Sequence, residues 1–183
     1  MIKLKHFRKI DLLAVFLLAL LWSGLTYIIT FYFPFIFEVI LFVTTLFATF
    51  TTLLIRKAGS VTLFFSLAGI MTIIIPILGF LVFGKILVLV AMGIIFEIIV
   101  YVFKRYLNLV IAGIVSNASM PWLMFLLGKT QLSTNLSYAL WNFTIISALL
   151  GGLGALVGLG IWYKVKNSKL VLKFEYERGF QSF

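Results

Sequence analysis

Among the five acidic residues of the sequence, Glu97 is the one whose position most suggests chemistry. It lies seven residues before Lys104 in an apolar helix, which puts it about 10 Å from that helix end at 1.5 Å per residue. A carboxylate in an apolar surrounding costs about 2.5 kcal/mol or more unless it meets a polar cavity, a partner or a proton. Glu97 is therefore either a substrate or coupling contact, or a hydrogen bond that fixes helix packing.

The other acids have simpler explanations. Glu38 follows Pro34 by one helical turn, where it complements the helix dipole or lies at the rim of an external pocket. Asp11 stands at the start of the first apolar segment beside a basic cluster, and we expect it to cap that helix. Glu175 and Glu177 belong to the charged tail.

A second group of candidates is polar and aromatic. Ser116 and Asn117 lie in the middle of predicted helix 5, residues 107–127, shortly before Pro121 and Trp122. An asparagine in an apolar surrounding needs a partner, and a nearby proline loosens the helix, so this side is predicted to face the bundle interior. The opposite wall would come from predicted helix 6, residues 138–163, through Tyr138, Trp141, Asn142 and Ser147. Aromatic faces with a few amide and hydroxyl groups suit a small heteroaromatic solute, although ordinary interhelical hydrogen bonds explain the same residues.

Several kinds of chemistry are excluded by what the sequence lacks. There is no cysteine, and the single histidine, His6, lies in the basic N-terminal segment, which argues against a metal site or a serine–histidine relay. Neither a GxxxxGK[ST] loop nor an HExxH motif is present. We therefore expect no metal, no cofactor and no enzymatic activity, and any ATP hydrolysis would belong to partner subunits.

The elements that must position these residues are apolar helices. The chain has 183 residues, of which 63% are hydrophobic and 11% charged, and apolar runs of about 20 residues recur from end to end. Pro34, the basic pair at 56 and 57, and the glycines at 79 and 84 separate them. The predicted helices cover residues 11–33, 35–55, 59–78, 86–103, 107–127 and 138–163. The polar stretch 128–137 is the longest predicted loop.

The positive residues fall on alternate connections of this pattern. Thirteen of the fifteen lysines and arginines share one side, whereas Lys85 and Lys129 share the other. Because positive residues near helix ends are retained on the cytoplasmic side, both termini are predicted to be cytoplasmic. The net charge of +10 thus comes from positive residues whose distribution indicates membrane topology, and we expect no nucleic-acid partner. The sequence predicts an all-α membrane protein with six transmembrane helices, one domain over residues 1–163 and a basic cytoplasmic tail over residues 164–183.

Helix 6 carries small residues at a spacing that favours close helix packing. In GGLGALVGLG, Gly151 and Ala155 stand four residues apart, as do Gly154 and Gly158. We expect these positions to let neighbouring backbones approach closely.

Topology, length and one stretch of sequence resemble a known family. The stretch covers residues 54–106, with IRKAGS opening helix 3 and GIIFEIIVYVFKRY in helix 4, where Gly93 and Glu97 have a GxxxE spacing. It is similar to S components, the substrate-binding membrane subunits of energy-coupling-factor (ECF) transporters, and most similar to those for hydroxymethylpyrimidine or thiamine.

The resemblance implies a function and a set of partners. The chain would be the solute-binding subunit of an ECF-type ABC importer in a prokaryotic plasma membrane, taking up a vitamin or its precursor. A coupling (T) subunit and two ATPase subunits would drive it, and helices 4 to 6 would form the pocket. Small residues of helix 1, here Ala14, Ala19 and Ser23, would pack against the coupling subunit. Two alternatives stay open: a small membrane scaffold or assembly protein, and a stand-alone secondary carrier.

Overall fold

The computed structural model describes residues 7–32, 37–73, 82–103, 107–128 and 134–177. Within these ranges the chain forms seven α-helices and no β-strand. The helices are α1 (Lys9–Tyr32), α2 (Phe37–Ile55), α3 (Ser60–Met71), α4 (Val82–Phe103), α5 (Leu107–Gly128), α6 (Thr134–Val165) and α7 (Lys169–Glu177).

The all-helical prediction is confirmed, and four of the helices are long and apolar enough to cross a membrane. These segments are Lys9–Tyr32, Gly84–Val102, Asn108–Leu126 and Tyr138–Val165. The apolar parts of α2 and α3 are shorter, at Val39–Ile55 and Ser60–Met71. The 12 residues of α3 measure about 18 Å, well below the roughly 30 Å of a bilayer core.

Three predicted boundaries are wrong. Helix 3 was expected to reach residue 78, but α3 ends at Met71, where Thr72 donates both its backbone N–H and its hydroxyl to the Ala68 carbonyl. The following α4 begins at Val82, so Gly84 lies inside a helix. The N-terminal turn of α6 occupies residues 134–137 of the predicted loop, while residues 129–133 lie outside the described part.

The tail, which was predicted only as a basic segment, contains a further helix. After a turn at residues 166–168, residues 169–177 form α7, whose Val171 is buried against the bundle. Neither proline nor glycine interrupts this stretch, and Val171 and Phe174 repeat at helical spacing.

A central α2 organises the bundle. It packs against α1, α3, α5 and α6, and the pairs α1–α3, α3–α4, α4–α5 and α5–α6 are also in contact. Trp22 of α1 is buried and donates its indole N–H to the Thr44 hydroxyl of α2 at 3.1 Å. Threonines 44, 45, 51 and 52 of α2 donate in turn to carbonyls four residues earlier, so their hydroxyls are satisfied within an apolar core.

The close approach predicted for the helix 6 glycines is confirmed. A Cβ built on Gly151 would lie 2.2 Å from the Gly113 carbonyl oxygen of α5. One built on Gly154 would lie 2.4 Å from the Phe42 carbonyl oxygen of α2, and one on Gly158 would lie 3.1 Å from that of Leu46. The small residues therefore bring α6 into backbone contact with both neighbours.

The outer surface of the bundle is strongly apolar. On α1 it includes Leu13, Leu17 and Leu21, each at least half exposed, and on α6 it includes Leu149 and Leu153. Exposed apolar surface that runs along whole helices is unfavourable in water and favourable against lipid. The surface is thus compatible with a membrane environment.

Candidate functional site

The Glu97 carboxylate lies at the N-terminus of α3. Its Oε1 accepts a hydrogen bond from the Val61 backbone N–H at 2.6 Å, and its Oε2 accepts one from the Gly59 N–H at 3.0 Å. Thr62 donates its hydroxyl to Oε2 at 2.9 Å and its backbone N–H to Oε1 at 3.4 Å. The first N–H groups of a helix have no partner within it, and here the side chain of another helix supplies one.

The opposite end of α3 is held by the same neighbouring helix. The buried Lys85 ammonium of α4 donates to the carbonyl oxygen of Thr72, the C-cap residue of α3. Lys85 and Glu97 stand 12 residues apart on α4, which matches the 12 residues of α3. Each charge faces the helix end of opposite partial charge, the carboxylate at the N-terminus and the ammonium at the C-terminus.

Gly93 allows the two helices to approach closely enough for this arrangement. A Cβ at Gly93 would lie 2.8 Å from Cδ2 of Phe65 and 3.0 Å from Cα of Thr62 on α3. Gly93 is one helical turn before Glu97, so the same face of α4 carries the close contact and the cap. The GxxxE spacing therefore has a physical reason within the fold.

The turn between α2 and α3, residues 56–59, is tied to further helices. Lys57 and Asp11 of α1 form a buried ion pair with a 2.5 Å N–O distance. Asp11 also accepts the Arg8 backbone N–H at 2.9 Å, which confirms its expected role as a cap of the first helix. The Arg56 guanidinium lies 5.8 Å from the ring centroid of Trp162 on α6.

Two residues of this turn have a left-handed backbone conformation. Arg56 has φ +52° and Gly59 has φ +86°. The second value suits glycine, because a side chain there would be strained. The positive φ of Gly59 precedes α3 directly, and its N–H points to Glu97.

A groove of about 300 Å³ opens beside the turn and the C-terminal half of α4. Its lining residues are Thr52, Lys57, Ala58, Ser60, Glu97, Ile98, Val100, Tyr101 and Val102. The lining is mostly apolar, and its two ionic groups, Lys57 and Glu97, are both engaged as described above. The groove therefore offers apolar contact more than polar recognition.

The polar residues of α5 bond inside the bundle. Asn117 is buried and donates its Nδ2 to the Leu41 carbonyl oxygen of α2 at 3.2 Å. The hydroxyl of Ser116 reaches the Gly113 carbonyl of its own helix at 3.4 Å. The predicted inward orientation of this side is confirmed, and the neighbour it meets is α2.

The aromatic candidates lie at the opposite end of the bundle from the α2–α3 turn. Trp122 of α5 and Trp141 of α6 form an edge-to-face pair with centroids 5.6 Å apart. Trp141 is 58% exposed and Tyr138 is 76% exposed, and Asn142 is also exposed. Glu38 falls within α2, but its side chain lies outside the described part.

The candidate docking residues of α1 face inward. Ala14 and Ala19 are buried in the core of the bundle, and the partly buried Ser23 has its hydroxyl oxygen shielded from solvent. The outward face of α1 is formed by large leucines and Phe16. As the bundle stands, these three small residues serve packing within the chain, and their role in docking stays a prediction.

Sequence reasoning missed Lys85 as a partner of α3. The available signal was the 12-residue separation of two opposite charges on one apolar helix, which places them about 18 Å apart along its axis, the length of a 12-residue helix. Among the described residues, no group of three or more histidines, cysteines or acids could hold a metal ion.

No protein family, no curated protein and no solved structure matches the chain.

Proposed function

We propose that the chain is a membrane-embedded, solute-binding transport subunit of the S-component type. The solute would be a vitamin or precursor with a heteroaromatic ring, possessing hydroxymethylpyrimidine- or thiamine-like chemistry. A coupling subunit and two ATPases would supply the energy, and the basic end of the bundle would face the cytoplasm. Six apolar helices, α1 to α6, supply the membrane part of this proposal.

The observation that carries the proposal is the structure of the stretch on which the resemblance depends. Turn 56–59, α3 and α4 form one connected unit, in which Gly93 contacts α3 and Glu97 caps it. The residues quoted for the resemblance thus act together, and their spacing is a requirement of the fold.

Within this proposal the roles of the candidates divide. Glu97 orders the turn and α3 and acts as a positioning residue, because the described part of the structure already gives it four hydrogen-bond donors. Solute contact falls to the aromatic and amide groups at the other end, which are the exposed Tyr138, Trp141 and Asn142 and the partly buried Trp122. Edge-to-face and stacking contacts with such rings favour a planar heteroaromatic ligand.

The scaffold or assembly protein remains a second candidate on one specific observation. Glu97 and Asn117, two polar side chains expected to bind a solute, bond to backbone groups of this chain, and so does Lys85. A bundle whose polar groups serve only packing would look like this.

Native mass spectrometry of the protein, extracted mildly from its own membrane, tests the proposal. We expect a retained small molecule of heteroaromatic composition together with a coupling subunit and ATPases. Trp141→Ala should release the small molecule, while Gly160→Ala on the same helix should keep it, since a Cβ at Gly160 meets nothing within 4 Å. Recovery of protein partners without any small molecule, unchanged by Trp141→Ala, would support the scaffold and overturn the transport role.

A further inference from the structure

The C-terminal end of α6 and the helix that follows it form a basic surface. Lysines 164, 166, 169 and 173 occur within ten residues, at and just after the end of the apolar segment Tyr138–Val165. Lys164, Lys169 and Lys173 are exposed, and Lys166 is partly exposed. The acids of this region, Glu175 and Glu177, come after the lysines in the last turn of α7. The positive charge is therefore concentrated where the apolar segment meets the turn.

Packing holds α7 against the bundle with its lysines outward. Val171 is 6% exposed and belongs to the hydrophobic core, and Phe174 packs against it. Leu172 is 47% exposed and lies beside Lys169 and Lys173 on the outer side. The Ser168 hydroxyl accepts the Val171 N–H at 3.4 Å and so caps the helix. An exposed apolar residue flanked by lysines is typical of a helix at the level of lipid headgroups.

Aromatic residues mark the same level. The Lys166 ammonium lies 4.8 Å from the ring centroid of Tyr163, which is itself exposed. Tyrosine and tryptophan rings concentrate at the boundary between hydrocarbon and headgroups, and lysine side chains extend from there to the polar layer. The Lys166–Tyr163 pair thus places the lysines where phosphate groups of the bilayer would lie.

We propose that this surface, formed by Lys164, Lys166, Lys169 and Lys173 around α7, binds the headgroups of anionic phospholipids. Charge complementarity identifies the occupant. Four lysines at the membrane boundary attract headgroups with a net negative charge more strongly than zwitterionic headgroups, whose net charge is zero. The proposal depends on the membrane location given above and not on the transport role or the solute.

Lipid nanodiscs with defined composition test this surface. The protein would be reconstituted in nanodiscs made of equal parts of phosphatidylglycerol and phosphatidylcholine. It would then be released from the discs in the mass spectrometer, and the lipids that stay bound to it would be counted. We expect the wild type to retain phosphatidylglycerol preferentially, and the fourfold Lys→Gln variant to lower that preference at least about tenfold. The fourfold Lys→Arg variant should keep it, since the charge is unchanged.

Further measurements separate the possible failures. Incorporation into discs, checked by size and helical circular dichroism, reports membrane location and folding independently of lipid preference. Val171→Asn keeps all four lysines and the net charge of the surface but should detach α7 and reduce the preference, which distinguishes a docked surface from charge alone. Equal retention of both lipids by the incorporated wild type would overturn the proposal. A preference that 20 mM inorganic phosphate abolishes would also overturn it, because the site would then bind free phosphate. A preference seen only with a bound protein partner would overturn it as well.

Discussion

The α3–α4 pair and the α5–α6 pair are held together by different means. Charges at helix ends join α3 to α4, with Glu97 at the N-terminus of α3 and Lys85 at its C-terminus. Backbone contact at Gly113 and Gly151 joins α5 to α6. The first pair uses its ionic side chains for its own fold, whereas the second leaves Trp141 and Tyr138 exposed at one end. An ionisable residue in an apolar helix can therefore be structural, and the uncharged pair is the better place to look for a ligand.

The largest effect on stability is expected from breaking the ion pair between Asp11 of α1 and Lys57, which lies in the turn before α3. Asp11→Asn leaves the buried Lys57 ammonium without its carboxylate, which should lower the free energy of unfolding by about 4 kcal/mol. Denaturant titration in detergent micelles measures this. The double variant Asp11→Leu with Lys57→Met removes both charges and should recover most of the loss. Equal losses in the single and double variants would show that the pair contributes through packing alone.

Substitution at the glycine contact should have the next largest effect. Gly151→Ala places a methyl group 2.2 Å from the Gly113 carbonyl oxygen, so α5 and α6 must separate, at a cost of about 3 kcal/mol. Gly160→Ala on the same helix is the matched control, and we expect it to be neutral or slightly stabilising. Thermal unfolding followed by circular dichroism compares the two. Similar melting temperatures would mean that the helices can repack without the close approach.

The cap on α3 should contribute somewhat less. Glu97→Gln keeps the shape but replaces one of the two accepting oxygens with an NH2 group, which cannot accept, and removes the charge from the remaining hydrogen bonds. We therefore expect a loss of about 2 kcal/mol. Thr62→Val removes only the hydroxyl that reaches Oε2, so it should cost about 1 kcal/mol. A Glu97→Gln variant as stable as the wild type would show that the carboxylate charge is unimportant for the fold.

The smallest effect on stability is expected at the exposed end of the α5–α6 pair. Trp141→Ala should lower the free energy of unfolding by less than about 1 kcal/mol, because the side chain is more than half exposed and loses mainly its edge-to-face contact with Trp122. It should nevertheless abolish retention of the solute, measured as the small-molecule signal in native mass spectra. Loss of stability without loss of retention would reverse the comparison between the two pairs.

Much of the fold could be predicted from local patterns. Apolar runs located all six hydrophobic helices, the four-residue spacing of small residues located the α6 contacts, and Asp11 next to a basic cluster indicated a cap. These features depend on residues close in sequence. The early end of α3 did not follow from such a pattern, because its terminus is stabilised by Lys85, a residue of the next helix.

The candidate site was predictable only in part. The sequence indicated that Glu97 needed a partner and left open whether this was a substrate or a neighbouring helix. Three of its four donors, the N–H groups of residues 59, 61 and 62, are backbone groups that every sequence contains. Only the positions of α3 and α4 in space reveal that these groups meet the carboxylate. The α7 helix was missed for a related reason, since the packing of Val171 against the bundle stabilises it.

Hydrogen exchange at the start of α3 tests most directly the central claim that Glu97 serves the fold of this chain. The measurement would compare the wild type and Glu97→Leu in lipid nanodiscs, resolving the amides of Gly59, Val61 and Thr62 by mass spectrometry. We predict slow exchange in the wild type and exchange at least about tenfold faster in the variant, with amides in the middle of α6 unchanged. Equal protection of the three amides in both proteins would contradict the account and leave Glu97 available to a ligand.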